Sequence, residues 1–495
     1  MYCFEKLADG LYWIGGEDAR LGKFEGLIPV PYGMSYNTYL IKDEKTVLID
    51  TIDRAVEERF LTSLDYLIGD GTLDYIITQH AEPDHMATLG SVAARYPEAK
   101  ILASAMCKRM VSQFFDDELA ARVEVIDDGD TLETGKRTLK FLSAPMVHWP
   151  EVMMTYDAYD KTLFSADAFG VFGSLDGRLR DIDRDFEQDM LPEMRRYYAN
   201  ICGKYGAQVD AILDKVEPLD IARVCTLHGP VVEHNAVQAI HSYRIWAGYQ
   251  PEVKSVAIMY ASIYGGTRDV AEKLAFLLTG LGVEGVKIYD VSEVDASYLL
   301  AEAYRVSNVV LACATMNMEM NPKMADLLEV FATHGLKNRK FSLIQNGSWA
   351  PQAGKRMLEA LEKVPGTQIV GDMFTIKSRM KNEQEGDLEK LAQAIAESVG
   401  AVVTASEVEQ HEKAPEASPL PAGFVPPVAP PKINDPYGAG AATKPTQVIE
   451  VWKCTYCGYQ VEVPRGTDMS NFTCPVCLKV GMFKKIREKI VEVES

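Results

Sequence analysis

Four side chains that can bind metal ions lie close together in the segment Thr78-Gln-His-Ala-Glu-Pro-Asp-His85. They are His80, Glu82, Asp84 and His85. The preceding run Leu73-Asp-Tyr-Ile-Ile-Thr predicts a strand and the residues from Met86 toward Tyr96 predict a helix, which places the cluster on a strand-to-helix turn. Imidazole and carboxylate ligands alternating over a tight turn let two divalent ions share one loop, which a single structural zinc does not require. The sequence therefore predicts a site for two metal ions.

Three further ligand candidates follow predicted strands within the first 250 residues. His148 comes after a strand near Leu139–Leu142, Asp167 ends a hairpin, and His228 follows a strand at Ala222–Leu227. Alone, such a histidine is more often a hydrogen-bonded structural residue, and such an aspartate is more often a turn residue. Four strand ends that each present ligand candidates are instead typical of a site at one edge of a sheet sandwich.

A phosphate-binding turn is predicted after the strand Ser255–Tyr260. The turn Ala261–Thr267 combines two hydroxyls, two glycines and a helix N-terminus, which suit a phosphate group. It lacks GxGxxG and the Walker lysine, which disfavours a dinucleotide or a nucleoside triphosphate. Two later loops favour a cofactor over a turn without a ligand, although Trp349 could also be a helix-start aromatic packed on the sheet. The candidate cofactor-binding residues are Ser262, Ile263, Tyr264, Gly265, Gly266, Thr267, Thr315, Met316, Asn317, Gly347, Ser348 and Trp349.

Two CxxC pairs lie near the end of the chain, and their cysteines are Cys454, Cys457, Cys474 and Cys477. Four thiolates on two such turns form a tetrahedral metal site, a much stronger signal than either pair alone. A zinc ribbon and a mononuclear iron site share this ligand set.

Length and composition predict several domains. Strand-like and helix-like segments alternate over residues 1–250, and a regular βαβ pattern covers residues 251–403. Residues 404–447 are proline-rich, with nine prolines between Pro415 and Pro445, and predict an extended linker. Residues 448–495 contain the cysteine pairs. The βαβ pattern predicts a doubly wound parallel sheet with its ligand beyond the carboxyl ends of the strands.

The charge balance and hydropathy exclude two classes of partner. Lys and Arg total 51 against 71 Asp and Glu, so the net charge of −20 repels nucleic acid. No apolar run approaches the roughly 20 residues that cross a bilayer, and the residues Met-Tyr-Cys-Phe-Glu-Lys do not show a basic stretch followed by an apolar one. We expect a cytoplasmic protein that binds neither nucleic acid nor membrane.

The metal-ligand pattern resembles the metallo-β-lactamase fold, an αββα sandwich whose cluster usually reads HxHxDH. Here Glu82 replaces the middle histidine, which adds negative charge and a hard donor and favours iron over zinc. This replacement is the pattern of flavodiiron proteins, which the chain also resembles at Ile28-Pro-Val-Pro, Tyr36-Asn-Thr-Tyr, Asp50-Thr51, His148-Trp-Pro and Phe164-Ser-Ala-Asp-Ala-Phe-Gly170. The resemblance implies one iron bound by His80, Glu82 and His148, a second bound by Asp84, His85 and His228, and Asp167 bridging them.

The other two regions resemble electron carriers. The three loops are similar to those that bind FMN in flavodoxins, although Gly266 stands where asparagine is common. The cysteine knuckles resemble rubredoxin, which favours iron over zinc. Two departures weaken that preference, since sixteen residues separate the pairs, as in the short rubrerythrin type, and Leu478 stands where rubredoxins usually have glycine.

The resemblance implies a flavodiiron oxidoreductase. Electrons would pass from an NAD(P)H-dependent rubredoxin reductase or a similar donor through the Fe(Cys)4 centre and FMN to the iron pair, where dioxygen is reduced to water, nitric oxide to nitrous oxide, or both. A head-to-tail homodimer or a homotetramer is expected, because in that family FMN meets the iron pair across two chains. The alternatives are a dizinc hydrolase and an electron carrier with an inactive first domain.

Overall fold

The computed structural model describes residues 3–401, 446–454, 460–464, 467, 469 and 483–492. The chain divides into two compact units, Met1–Glu412 and Lys413–Ser495. The first unit contains a sandwich of two sheets followed by a parallel sheet. No helix in the described ranges is long and apolar enough to cross a membrane.

Two sheets lie face to face in the sandwich, with helices outside. Its strands are β1 (Glu5–Ala8), β2 (Leu11–Trp13), β3 (Gly16–Asp18), β4 (Lys23–Phe24), β5 (Ile28–Pro29), β6 (Met34–Tyr36), β7 (Tyr39–Lys42), β8 (Thr46–Ile49), β9 (Tyr75–Thr78), β10 (Lys100–Ala103), β11 (Val123–Val125), β12 (Thr131–Glu133), β13 (Thr138–Ser143), β14 (Met153–Asp157), β15 (Thr162–Phe164) and β16 (Arg223–Cys225). Its helices are α1 (Glu57–Ile68), α2 (Pro83–Met86), α3 (Leu89–Arg95), α4 (Ala105–Phe114), α5 (Asp117–Ala121), α6 (Leu191–Tyr197), α7 (Gly206–Val216) and α8 (Ala236–Ala247), with π-helical turns at Phe186–Met190 and Tyr198–Cys202.

The sandwich follows from the alternation of apolar side chains along its strands. The sheets have the orders β1-β2-β7-β8-β9-β10-β11 and β12-β13-β14-β15-β16. Val47 and Ile49 of β8 pack in one cluster with Phe141 of the second sheet, whereas Leu48 packs with Phe60 of α1. Successive residues of a strand point to opposite faces, so both faces of the first sheet are covered.

The second half of the first unit is a doubly wound parallel sheet, which confirms the fold expected from the βαβ pattern. Its strands are β17 (Val253–Ala261), β18 (Lys287–Asp290), β19 (Val306–Met316), β20 (Glu319–Met320), β21 (Lys340–Asn346), β22 (Gln368–Ile369) and β23 (Phe374–Ile376), and its helices are α9 (Gly266–Gly280), α10 (Ala296–Arg305), α11 (Pro322–Thr333), α12 (Ala353–Leu361) and α13 (Glu385–Val399). In the order β18-β17-β19-β21-β22, the chain runs from β17 to one side of the sheet to form β18 and then to the other side to form β19. This change of direction leaves a crevice beyond the carboxyl ends of β17 and β19.

The structure differs from the sequence prediction at two elements. The fifth strand is interrupted: β22 ends at Ile369, Gly371 takes a positive φ of 73°, and β23 continues beside the end of β21. The helix expected from Met86 to Tyr96 is divided into α2 and α3, because Thr88 takes a non-helical conformation and hydrogen-bonds Ile52. Asp84 and His85 consequently lie on α2.

The two halves of the first unit share one hydrophobic cluster. Tyr198 packs against Tyr304 of α10, with ring centroids 6.0 Å apart. Arg339 is fully buried and donates hydrogen bonds to the carbonyl groups of Tyr249, Ala303 and Tyr304. These contacts fix the segment that joins the sandwich to the parallel sheet.

The second unit contains a three-stranded antiparallel sheet. Its strands are β24 (Thr446–Cys454), β25 (Gln460–Pro464) and β26 (Phe483–Glu492), in the order β25-β24-β26. Cys454 is the last residue of β24. Its side chain lies outside the described residues, as do Cys457, Cys474, Cys477 and nearly all of the predicted linker.

Candidate metal centre and cofactor cleft

The structure brings together all seven metal-ligand candidates of the sandwich. His80, Glu82, His148 and Asp167 form one group, and Asp84, His85 and His228 form a second. Within each group, the candidate ligand atoms lie within 4.8 Å of one another. His80 follows β9. His148, Asp167 and His228 lie on the loops after β13, β15 and β16, at the edge of the sandwich where the sequence predicted them.

Asp167 lies between the two groups. Its Oδ2 atom is 3.1 Å from His148 Nε2 and 3.6 Å from His80 Nε2. Its Oδ1 atom is 3.1 Å from His85 Nε2 and 3.7 Å from His228 Nε2. Each oxygen of one carboxylate therefore faces a different group, which is the arrangement of a bridging ligand.

The chemistry of these donors fits two metal cations. Asp84 and Asp167 present oxygens that make no hydrogen bond within the described part of the chain, although both residues are buried. Such orphaned acceptors are rare unless an ion or water satisfies them. His85 Nε2 and His228 Nε2 lie only 3.1 Å apart. Two ring nitrogens that face each other beside a carboxylate are typical of shared coordination to one metal.

Carboxylates around the site raise the affinity of the histidines for protons. Burial disfavours the charged form of His85, but Asp84 and Asp167 outweigh it and raise its pKa to about 9. Hydrogen bonds to Asp167 and Glu82 likewise outweigh the burial of His148 and raise its pKa to about 9. Without metal, both rings therefore carry protons at neutral pH.

We expect metal binding to release these protons. A histidine must be neutral to bind a metal, so below pH 9 the apparent affinity should rise with pH, by about tenfold per pH unit for each proton released. Calorimetric titration of the metal-free chain with Zn²⁺ at pH 6, 7 and 8, in buffers of different ionisation enthalpy, measures the apparent affinity and the number of protons released. An affinity that does not change with pH would contradict this expectation.

Glu151 is a buried residue of the site that the sequence interpretation missed. Its Oε1 atom lies 2.7 Å from His80 Nδ1 and accepts a hydrogen bond of 2.9 Å from the backbone N–H of Ala81. On the other side, His228 Nδ1 lies 2.8 Å from the carbonyl oxygen of Ser35. The only signal in the sequence is that Glu151 follows His148-Trp-Pro, and a separation of 71 residues from His80 hides the contact.

Aromatic rings enclose the histidines. The ring of Phe24 lies 5.2 Å from that of His228, Tyr197 lies 5.6 Å from the same ring, and Trp149 lies 5.4 Å from His80. These rings limit access of water to the buried donors.

Some residues beside the ligand candidates have strained backbone conformations. Asp50, Met146, Ala166 and Phe169 all have positive φ values, of 57°, 65°, 49° and 67°. This conformation is costly for residues other than glycine and persists where the surroundings impose it, as at functional sites.

A second candidate site lies beyond the carboxyl ends of β17, β19 and β21. It is a cavity of about 590 Å³, within the usual range for small-molecule sites. Eleven of the twelve predicted cofactor residues line it; Gly265 does not, and instead precedes α9 with a φ of 87°. Ala314, Met318, Asn346 and Ala350 of the two predicted later loops line the cavity as well, and the sequence interpretation missed Ser378 and Arg379.

The cavity fits a phosphorylated, planar cofactor such as FMN. Thr267 lies in the first turn of α9, where free backbone N–H groups favour a phosphate. Tyr264 and Trp349 at the cavity are 93% and 86% exposed, which leaves two aromatic faces open for stacking. The exposure of Trp349 also argues against packing on the sheet.

Gly266 is required by a close backbone contact. A Cβ atom at this position would lie 2.1 Å from the carbonyl oxygen of Ser378. We therefore expect Gly266→Ala to displace the segment after β23, to lower the stability by about 1–3 kcal/mol and to reduce the FMN content of the purified protein. Flavin absorbance and thermal unfolding measure these effects. Gly280→Ala, at the other end of α9 where a Cβ meets open space, is the matched control and should retain its flavin.

Comparison with known proteins supports both sites. Residues 34–229 match the family described as ODP family beta lactamase, and residues 258–391 match Flavodoxin. The rubredoxin:oxygen oxidoreductase of Desulfovibrio gigas superposes with a TM-score of 0.74 at 26% identity, over 81% of this chain and 99% of that one. The flavodiiron protein of Giardia intestinalis superposes with a TM-score of 0.72 at 26% identity and the same coverage. The expected metallo-β-lactamase-like and flavodoxin-like folds are confirmed.

Sequence relatives extend the similarity across the first unit. An anaerobic nitric oxide reductase flavorubredoxin of Vibrio vulnificus is 32% identical over 347 residues, 69% of each chain. An uncharacterized protein of Methanocaldococcus jannaschii is 33% identical over 379 residues, 76% of this chain and 94% of that one. With the paired donor groups and the flavodoxin-like cleft, these similarities show that the chain belongs to the flavodiiron protein family, which includes the flavorubredoxins.

Proposed function

We propose that this protein reduces dioxygen to water, nitric oxide to nitrous oxide, or both, at a pair of irons supplied with electrons through FMN. The observation that carries the proposal is the pair of donor groups that share Asp167, with Glu82 in place of a histidine. A hard, anionic donor set suits iron that changes its oxidation state. Similar proteins named as anaerobic nitric oxide reductases and as a rubredoxin:oxygen oxidoreductase support the choice of these two gases.

Each residue of the site has a role that follows from its position. His80, Glu82 and His148 would hold one iron and Asp84, His85 and His228 the other, with Asp167 joining them. When bound, the irons would supply redox equivalents and open coordination positions for a small gas, and FMN would supply electrons one at a time. Phe24, Tyr197 and Trp149 exclude water from the donors, which strengthens electrostatic interactions inside the site.

This function is tested by measuring turnover of the iron-loaded protein in initially oxygen-free solution, to which dioxygen or nitric oxide is added separately. We expect consumption of at least one gas, about two irons and one FMN in the first unit, and a coupled ferric signal in the oxidised protein. Two zinc ions with hydrolase activity that survives flavin removal would instead identify a dizinc hydrolase. Unchanged gas consumption after Glu82→Ala would identify a carrier with an inactive first domain.

Electrons would enter through the C-terminal region. We propose the divisions 1–250, 251–403, 404–447 and 448–495, the last binding one iron through Cys454, Cys457, Cys474 and Cys477. The spacing of the two CxxC pairs supports this assignment. An NAD(P)H-dependent rubredoxin reductase or a similar protein is the expected donor. We place this transfer in the cytoplasm, because the five described cysteines of the first unit are free thiols, as in reducing compartments.

Cys457→Ser should separate electron entry from gas reduction. Loss of one thiolate should remove the C-terminal iron and its absorbance, because structural sites of this type need all four ligands. Turnover with the reductase should fall to background, whereas turnover with a chemical reductant that reduces FMN directly should remain. Cys313→Ser, which removes a buried thiol from β19, is the control. Full reductase-driven turnover in Cys457→Ser would refute this route.

We also propose that two chains associate head to tail. Exposed apolar residues surround the cofactor cleft, including Tyr264, Met318 and Trp349, and Leu27 and Tyr32 are exposed on the sandwich near the metal site. Apolar surface of this kind is typical of protein interfaces. Sedimentation should show a dimer or a tetramer, and Leu27→Asp, outside the cofactor cleft, should shift it toward monomer with loss of electron transfer to iron. A fully active monomer would contradict the proposal.

A further inference from the structure

The two donor groups match in chemical type. The first has His80, His148 and the Glu82 carboxylate, and the second has His85, His228 and the Asp84 carboxylate. Each also faces one oxygen of Asp167. The types of donor atom therefore do little to distinguish the two positions, and the groups behind the donors are a source of difference.

The groups behind the histidines are unequal. His80 Nδ1 lies 2.7 Å from a carboxylate oxygen of Glu151, and both side chains are fully buried. The corresponding contact of His228 is with a neutral carbonyl group, that of Ser35, at 2.8 Å. His85 Nδ1 is buried and has no hydrogen-bond partner among the described residues. Among the described residues, a carboxylate is therefore hydrogen-bonded to the far ring nitrogen of a histidine in the first group but not to that of His85 or His228 in the second.

Glu151 is held firmly in this position. Its Oε1 atom also accepts the hydrogen bond from Ala81 N–H, and its carbonyl oxygen accepts one of 2.9 Å from Ser104 Oγ. Among the ion pairs of the described residues, His80 is the only cationic partner of Glu151. A buried carboxylate without compensation is costly, so its charge must be balanced through the His80 ring.

We propose that Glu151 is a positioning residue that makes the two metal positions unequal. A carboxylate hydrogen-bonded to the far nitrogen of a ligating imidazole fixes its tautomer and orientation and makes it a stronger donor. The position held by His80, Glu82 and His148 therefore binds its metal more tightly and is the more electron-rich of the two. The inference rests on the proposed two-metal site and adds an order of metal binding and release. The position formed by Asp84, His85 and His228 binds its metal last and releases it first.

Titration of the metal-free, full-length chain with Zn²⁺ tests this order with a redox-inert probe. In the full-length Cys457→Ser chain, which lacks the proposed cysteine site, we expect two binding steps that differ at least tenfold in affinity. Glu151→Gln keeps the size and the hydrogen-bond acceptor but removes the charge, and should weaken the tighter step by roughly 10- to 100-fold, while Glu151→Asp retains the charge and should recover part of the loss. Glu302→Gln, at a buried glutamate paired with Arg305, is the matched control and should change neither step.

Mössbauer spectra of the wild-type protein loaded with ferrous iron provide a second readout that needs no variant to fold. Besides the signal of the cysteine-bound iron, two distinct doublets are expected, and they should become more alike in Glu151→Gln. Two equal sites in the first unit, or a Glu151→Gln variant that folds and binds both ions normally, would overturn the inference and leave the proposed function standing. Fewer than two zinc ions bound by the Cys457→Ser chain would overturn both.

Discussion

Asp167→Asn is expected to abolish gas reduction. Only a carboxylate offers one acceptor oxygen to each donor group, and the amide nitrogen of asparagine would face His85 or His148 as a donor. Loss of groups that merely support a metal ligand costs roughly 10- to 100-fold in activity or affinity. Removal of the shared ligand should therefore lower turnover by more than about 100-fold and reduce the bound iron from two toward one, as measured by iron analysis and anaerobic gas consumption.

Asp181→Asn provides the control for this change. Asp181 is equally buried in the sandwich and accepts hydrogen bonds from the backbone N–H groups of Glu233, His234 and Asn235. Its replacement should lower the melting temperature but leave the iron content of the folded protein unchanged. An Asp167→Asn protein with two irons and normal turnover would exclude a bridging role for Asp167.

Glu82→His should change the metal preference of the first donor group. The substitution removes a negative charge that lies 3.0 Å from His148 Nε2 and 3.2 Å from His80 Nε2. A site richer in imidazole stabilises ferric iron less well and is suited to zinc. Purified from medium with equal iron and zinc, the variant should contain more zinc than the wild type, and its turnover with either gas should fall at least about tenfold, since zinc undergoes no redox change.

Glu82→Asp shortens the side chain by one methylene group but keeps its negative charge, so it separates the effect of charge from that of side-chain length. It keeps the anionic donor, so it should retain a preference for iron even if its affinity falls. Hydrolase activity gained by Glu82→His would show that the fold itself supports water activation and that this glutamate directs it to redox chemistry. A Glu82→His variant with full iron content and wild-type turnover would contradict the interpretation of the HxExDH pattern.

The sequence predicted that the candidate ligands converge because they mark the ends of regular elements. His80 follows an apolar run and Asp167 ends a hairpin, so both could be expected at the edge of one sandwich. His148 and His228 were weak signals alone, and they gained meaning from their order relative to the cluster. The structure places all of them within two adjacent groups.

Other features depend on contacts that no local pattern reports. Glu151 meets His80 across 71 residues, and nothing around it distinguishes it from a surface glutamate. Ser378 and Arg379 reach the cofactor cleft only because Gly371 interrupts the last strand and a second short strand, β23, re-forms beside β21. Such a break depends on the backbone conformation of one glycine, which composition cannot specify.

The continuous apolar interior that joins the sandwich to the parallel sheet makes the retention of metal and the retention of flavin depend on each other. Tyr198 and Tyr304 pack in one hydrophobic core, and Arg339 hydrogen-bonds the backbone beside them. The first unit should therefore unfold in a single cooperative transition. A ligand that binds only the native state then protects everything that melts with it. Flavin bound in the cleft would thereby help the remote histidines keep their iron during heat stress, and a chain starved of flavin would shed metal at a lower temperature.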